Sequence, residues 1–109
     1  MSAQIPNFII IDDSRLDCFI AEKIIQNSGT YSSVKSYMEA TEAYEAIKSG
    51  LIGDDSILTI IILDIQMPVM NGFQFVELFE QLPQEIQSKF AIFLFSSSIN
   101  ENDMIRPEN

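Results

Sequence analysis

Polar groups follow three apolar runs in this sequence, at the point where each run ends. Asp12 and Asp13 follow the run at 5–11, Asp64 ends the run at 57–63, and Ser96 follows the run at 90–95. Apolar runs of this kind, bounded by turn residues, predict strands that are buried on both faces of a parallel sheet. The carboxyl ends of parallel strands meet at one edge, which is where ligands bind in open α/β sheets. We therefore expect three carboxylates and a hydroxyl to converge.

A cluster of carboxylates is unfavourable by itself, because each pair repels by ~1–4 kcal/mol at 4 Å. A divalent cation removes that cost, and a few carboxylates with water and a phosphate are the surroundings that Mg²⁺ prefers. The alternative is that each acid only caps a neighbouring helix or turn. Capping explains one such acid more readily than three.

The predicted elements alternate as β-α-β-α-β-α-β, which favours a doubly wound parallel sheet. We predict strands at 5–11, 31–37, 57–64 and 90–95, and helices at 14–29, 39–49 and 72–82, with a polar connector at 83–89 and a further helix starting near Asn100. The second strand is polar and is placed at an edge, whereas the fourth is apolar and is expected to be central. Apolar residues at helical spacing predict the inward stripes, and these are Leu16, Phe19, Ile20 and Ile24, then Ala40, Ala43, Tyr44 and Ile47, then Phe73, Val76 and Phe79.

Composition narrows the classes of function. A chain of 109 residues with a formal charge of −10 is expected to form one domain that repels nucleic acid phosphates, so direct nucleic acid binding is not expected. Histidine is absent and Cys18 is the only cysteine, which argues against zinc and against a disulfide framework. No apolar run approaches the ~20 residues of a membrane span. A reducing cytoplasm is the expected setting.

The sequence resembles the receiver domain of two-component response regulators over residues 5–105. The matching segments are IIIDDS at 9–14, LDIQMPVMNG at 63–72 and FLFSSS at 93–98. The resemblance implies a flavodoxin-like fold with strand order 2-1-3-4, in which residues 1–109 form a single receiver domain without the final strand and helix. It also implies the roles of the site residues. Asp64 is then the phosphoacceptor, Asp13 a direct Mg²⁺ ligand, Asp12 a ligand through water, and the backbone carbonyl of Gln66 the remaining protein ligand.

The same resemblance assigns Ser96 to the phosphoryl contact and the switch, and Pro68 and Gly72 to the shape of the loop. Gly72 is expected there because glycine adopts backbone angles that other residues avoid. The implied function is a signalling switch rather than a turnover enzyme. It would accept a phosphoryl group from a sensor histidine kinase or a phosphotransfer protein, and its output would be contact with a downstream protein.

Other functions stay open on the same fold. A phosphorylation-independent interaction module is the main alternative. A phosphatase with an aspartate nucleophile would need a second acid two residues after Asp64, where Gln66 stands. A flavin-binding protein would need a hydroxyl- and glycine-rich loop after the first strand, which is absent here.

The resemblance also implies a lysine at the end of a fifth strand, and none of the six basic residues follows such a strand. The simplest expectation is a truncated chain or a fragment. The fourth strand would then be an apolar edge, which is a template for pairing with another chain. We expect this form to self-associate through that strand, to exchange elements between copies, or to be a piece of a longer chain.

Overall fold

The computed structural model describes residues 5–95, which form a parallel four-stranded sheet with helices on both faces. The strand order is β2-β1-β3-β4, as expected for the flavodoxin-like fold. The elements in chain order are β1 (Asn7–Ile11), α1 (Arg15–Ser28), β2 (Ser33–Tyr37), α2 (Ala40–Lys48), β3 (Thr59–Asp64), α3 (Gly72–Phe79), α4 (Gln84–Gln87) and β4 (Phe90–Phe95). The predicted order and fold are confirmed. Ser96 and the helix predicted near Asn100 lie outside the described residues.

The register of the central strands brings the acids to one edge. Ile11 of β1 pairs with Leu63 of β3, so Asp12 follows β1 at the level where Asp64 ends β3. On the other side of β3, Asp64 pairs with Phe95. Because all the pairings are parallel, the first, third and fourth strands end together, and this brings Asp12 and Asp64 to one edge as the sequence predicts.

The larger core lies between the sheet and helices α2 and α3. Phe75 is fully buried there, with its ring stacked on Phe79 at 6.5 Å and edge-on to Tyr44 at 6.4 Å between centroids. The predicted stripe of α2 is confirmed, since Ala40, Ala43 and Ile47 are buried and Tyr44 packs against the same core. A smaller core lies on the opposite face, where α1 covers the sheet around Ile10.

The predicted inward stripe of α1 is wrong. Its four residues are exposed, and the helix instead buries Cys18 and Ile25; the exposed four are Leu16, Phe19, Ile20 and Ile24. The helix begins where predicted, because Ser14 caps it by accepting the Asp17 N–H on its hydroxyl at 3.2 Å. Apolar residues occur around most of this helix, so periodicity alone does not identify the face that meets the sheet.

The predicted phase of α3 is also wrong at its start. Phe73 is 57% exposed, whereas Phe75 is fully buried. Asn71 begins the helix with a reciprocal capping box, in which its side chain accepts the Gln74 N–H and the Gln74 side chain accepts the Asn71 N–H, both at 2.9 Å. The helix ends at Phe79 rather than at residue 82, and the polar connector contains the short helix α4.

The fourth strand has the predicted bounds, but within the described residues it lies at the edge of the sheet and not at its centre. Phe93 is accordingly 59% exposed. The predicted edge position of β2 is confirmed. In residues 5–95, no helix combines the length and the hydropathy that a bilayer crossing needs.

The burial difference between Phe73 and Phe75 gives a matched test of the core. Phe75→Ala should lower the free energy of unfolding by about 3–5 kcal/mol, because it leaves a cavity among packed rings. Phe73→Ala removes the same atoms from an exposed position and should cost less than about 1 kcal/mol. Urea denaturation of both variants measures the difference, and equal losses would contradict this core.

Candidate functional site

Three carboxylates meet at the carboxyl edge of the sheet. Asp12, Asp13 and Asp64 each place one oxygen within 4.8 Å of the others. Asp12 and Asp64 are buried and Asp13 is exposed, so the cluster has two acids inside the protein and one at its surface. The three acids that the sequence singles out are therefore brought together.

Asp12 lies in the turn that joins β1 to α1 and is held by hydrogen bonds from three parts of the structure, namely β2, the turn itself and α1. Its N–H donates to the Tyr37 carbonyl at 3.0 Å, and its Oδ1 accepts the Ser14 N–H at 2.9 Å. Its carbonyl oxygen accepts a hydrogen bond from the Cys18 thiol at 3.3 Å. The second carboxylate oxygen, Oδ2, is buried without a hydrogen-bond partner in the part of the chain that the structure describes.

The pKa of Asp12 is raised to about 6, and burial is the largest cause. The Ser14 N–H opposes this shift, while the charges of Asp64, Asp17 and Asp13 add to it. Burial also raises the pKa of the Cys18 thiol, with the Asp12 charge as the next cause, so Cys18 keeps the proton that it donates.

Asp64 is the last residue of β3 and is fully buried. Its Oδ1 accepts the backbone N–H of Gln66 at 3.2 Å, which fixes the side chain against the loop that follows. In the following residue, the Ile65 N–H donates to the Phe95 carbonyl at 2.8 Å, and the Ile65 carbonyl accepts the Gly72 N–H at 2.9 Å. The backbone on the carboxyl side of Asp64 is thus tied to both β4 and α3.

Gly72 is needed at this site for space and not for an unusual backbone angle. It is absent from the residues with positive φ, so the expectation from its conformational freedom is wrong. A Cβ at Gly72 would lie 2.9 Å from the carbonyl oxygen of Asp64 and 2.9 Å from the Cα of Ile65. Any side chain there would push the start of α3 away from Asp64.

The positive φ in this loop belongs to Val69 instead, at 70°. The Met70 N–H donates to the Pro68 carbonyl at 2.7 Å, which closes a γ-turn around Val69. A β-branched residue in this conformation costs about 1–3 kcal/mol. The Val69 side chain is 92% exposed, so its packing offsets little of this conformational cost. Nothing in the local sequence signals this turn.

The donor set fits a hard divalent cation. All three acids supply oxygen, and the orphaned Oδ2 of Asp12 is a buried acceptor directed to no protein donor within residues 5–95. Carboxylate oxygen is the ligand that Mg²⁺ and Ca²⁺ take in proteins.

A family profile for the response regulator receiver domain matches residues 8–107. The chain belongs to this family. A search of curated proteins gave no significant match.

Two solved structures show how far the likeness to other receiver domains extends. The response regulator receiver protein from Dyadobacter fermentans is 36% identical with a TM-score of 0.73, over 89% of this chain and 73% of that one. The two-component response regulator from Cytophaga hutchinsonii is 26% identical with a TM-score of 0.73, over 94% of this chain and 76% of that one. The receiver fold is therefore shared over most of each chain.

The raised pKa of Asp12 predicts how the stability of the metal-free receiver domain depends on pH. Asp12 binds its proton more tightly when folded, so its contribution is complete below pH 4 and is lost as the pH rises through about 6. Asp12→Asn removes this dependence because the amide does not titrate. The variant should gain up to about 3 kcal/mol over the wild type between pH 4 and pH 7.

Urea denaturation in a chelator across this pH range measures the gain. Asp13→Asn is the matched control, since it removes a charge from the exposed acid of the same cluster and should gain less. Parallel stability curves for the wild type and Asp12→Asn would contradict the burial of a charged Asp12.

Proposed function

We propose that this receiver domain is a phosphoacceptor switch of a two-component system and that Asp64 receives the phosphoryl group. The observation that supports this most directly is the cluster itself, in which Asp64 ends β3 beside Asp12 and Asp13, within 4.8 Å. The phosphodonor would be a sensor histidine kinase or a phosphotransfer protein.

In the proposed reaction, an Asp64 carboxylate oxygen forms a bond to phosphorus as the bond from phosphorus to the donor histidine nitrogen breaks. The imidazole nitrogen keeps the electron pair, and the product is an aspartyl phosphate. Asp64 is positioned for this by the Gln66 N–H and by the close approach of Gly72. Positioning and electrostatics supply most of what phosphoryl transfer needs.

Asp13, Asp64 and the backbone carbonyl of Gln66 would hold Mg²⁺ directly, and Asp12 would hold it through water. Bound Mg²⁺ would offset the negative charge on the transferring group. Asp13, as the exposed acid, is the ligand that an ion from solvent would meet first.

Ser96 is proposed to hydrogen-bond the phosphoryl group and to move with the switch. It follows Phe95, which pairs with Asp64 across β3 and β4. The output would be a contact with a downstream protein, since a charge of −10 opposes binding to nucleic acid. A cytoplasmic setting is supported by Cys18, which is a free thiol.

Phosphorylation by acetyl phosphate in the presence of Mg²⁺ tests the proposal. Intact mass should increase by one phosphoryl group in the wild type and stay unchanged in Asp64→Asn, because the amide is not a nucleophile. Asp55→Asn changes an exposed acid in a distant loop and should be labelled like the wild type. Equal labelling of Asp64→Asn would show that another residue is the acceptor.

The alternative is a phosphorylation-independent interaction module. It is favoured by the apolar side chains that α1 leaves exposed, because such side chains suit contact with a partner protein whether or not Asp64 is phosphorylated; they are Leu16, Phe19, Ile20 and Ile24. A wild type that binds Mg²⁺ and gains no mass would support this function over the switch.

We further propose that β4 is a surface for self-association. The bonds from the Thr59 N–H to the Lys89 carbonyl and from the Ile65 N–H to the Phe95 carbonyl flank the β3–β4 ladder. Alternate residues of a parallel strand bond the same neighbour, so Phe90, Ile92 and Leu94 direct their backbone groups to the outer side. In residues 5–95, no strand pairs with that side.

Sedimentation velocity over a range of concentrations tests this surface. The wild type should form oligomers that Phe93→Lys weakens, because a charge on an edge strand blocks pairing. Phe19→Lys adds the same charge at an exposed phenylalanine of α1, which packs against β1 and β2, and should leave the oligomers intact. A wild type that stays monomeric throughout would contradict self-association through β4.

A further inference from the structure

The carbonyl group of Asp12 receives no hydrogen bond from β2, the strand that would supply a backbone N–H donor in a longer parallel ladder. The Asp12 N–H bonds the Tyr37 carbonyl of β2 at 3.0 Å, and in a parallel ladder the carbonyl of the same residue faces the same neighbouring strand. That strand ends at Tyr37, and Glu39 already caps α2. A buried carbonyl without a partner is costly, so another donor is needed.

The Cys18 thiol supplies that donor, at 3.3 Å from the Asp12 carbonyl oxygen. Cys18 lies on the face of α1 that meets the sheet, and it is buried. The helix is tied to β2 near this residue, because the Ser36 hydroxyl of β2 donates to the Glu22 carboxylate of α1, one turn after Cys18. The thiol therefore joins a metal-site residue to the contact between α1 and β2.

The thiol bond has a consequence for the side chain of Asp12. With the N–H, the carbonyl and Oδ1 of Asp12 all hydrogen-bonded, Oδ2 is the polar atom of this residue that stays available to a cation. That oxygen is buried without a partner in the described residues, on a side chain that is 1% exposed. Its carboxylate belongs to the cluster that meets within 4.8 Å.

We propose that Cys18 is a positioning residue for the cation site, holding the β1–α1 turn so that Asp12 directs its unpartnered oxygen into the cluster. This inference rests on the proposed function, in which the cluster binds Mg²⁺. It differs from a role in packing alone because the thiol would act through a hydrogen bond to one particular carbonyl. A residue that only fills space would have no selective effect on the cation.

Mg²⁺ titration calorimetry of three variants separates these roles. Cys18→Val fills the space without a donor, Cys18→Ala removes both, and Cys18→Ser keeps a donor. Partners that orient metal ligands typically contribute 10–100-fold in affinity, and a thiol is a weak donor, so we expect Val and Ala to weaken Mg²⁺ by roughly three- to tenfold. Cys18→Ser should stay within about twofold of the wild type, because it restores the hydrogen bond.

A double-mutant cycle with Asp12→Asn shows whether the effect passes through the carboxylate. In the Asp12→Asn background, Cys18→Val should no longer change the Mg²⁺ affinity, because the oxygen that it positions has lost its charge. An undiminished effect in that background would overturn the proposal. So would a Cys18→Val variant that binds Mg²⁺ as well as the wild type.

A second measurement needs no substitution at Cys18 and so stands if the variants fold poorly. Cys18 is the only cysteine, so a thiol reagent reports on this position alone. Mg²⁺ should slow the modification of the thiol several-fold in the wild type and leave the rate in Asp12→Asn unchanged. The reason is that the ion, bound through Asp12, would stabilise the β1–α1 turn against the local opening that exposes Cys18. A wild type that binds Mg²⁺ with no change in this rate would overturn the role of Cys18. A wild type that binds no Mg²⁺ at all would instead overturn the metal site of the proposed function.

Discussion

Repulsion among three carboxylates at the end of the sheet is the constraint on which this structure depends. Asp12, Asp13 and Asp64 lie within 4.8 Å, two of them buried, where each pair costs ~1–4 kcal/mol. The protein offsets part of this cost with backbone donors, one from Ser14 to Asp12 and one from Gln66 to Asp64. The pKa of Asp12 is nevertheless raised, chiefly because the carboxylate is buried, and the charges of Asp64 and Asp13 add to that shift. A cation bound among these carboxylates would offset the repulsion that the backbone donors leave.

Holding the acids in place requires rigid connections from several elements. Asp12 is fixed by β2 through Tyr37 and by α1 through Cys18. Asp64 is fixed by the approach of Gly72 at the start of α3. The loop between Asp64 and Gly72 contains the strained turn at Val69, so its conformation is imposed by its two ends and not by local preference. Backbone strain of this kind persists where the surrounding structure holds the residue in its unfavourable conformation.

The two faces of the sheet are packed to different extents. Helices α2 and α3 enclose a core of aromatic rings, while α1 buries only Cys18 and Ile25 and leaves four large apolar side chains exposed. Phe93 on the edge strand is exposed as well. Exposed apolar side chains thus lie both on the helix that covers the smaller core and on the edge strand.

The sequence by itself determined the features that depend on local chemistry and on one simple regularity of parallel sheets. Ser14 and Asn71 each cap a helix by accepting the backbone N–H of the residue three positions later. Asp12 and Asp64 lie at one edge because they follow apolar runs that form parallel strands, and such strands end together. Only the tertiary structure decided which sides of α1 and α3 are buried, because both helices carry apolar residues on more than one face. It also decided that Gly72 must lack a side chain and that Cys18 bonds Asp12. Both are contacts between separate elements, and such distances are set by packing, which no pattern of neighbouring residues encodes.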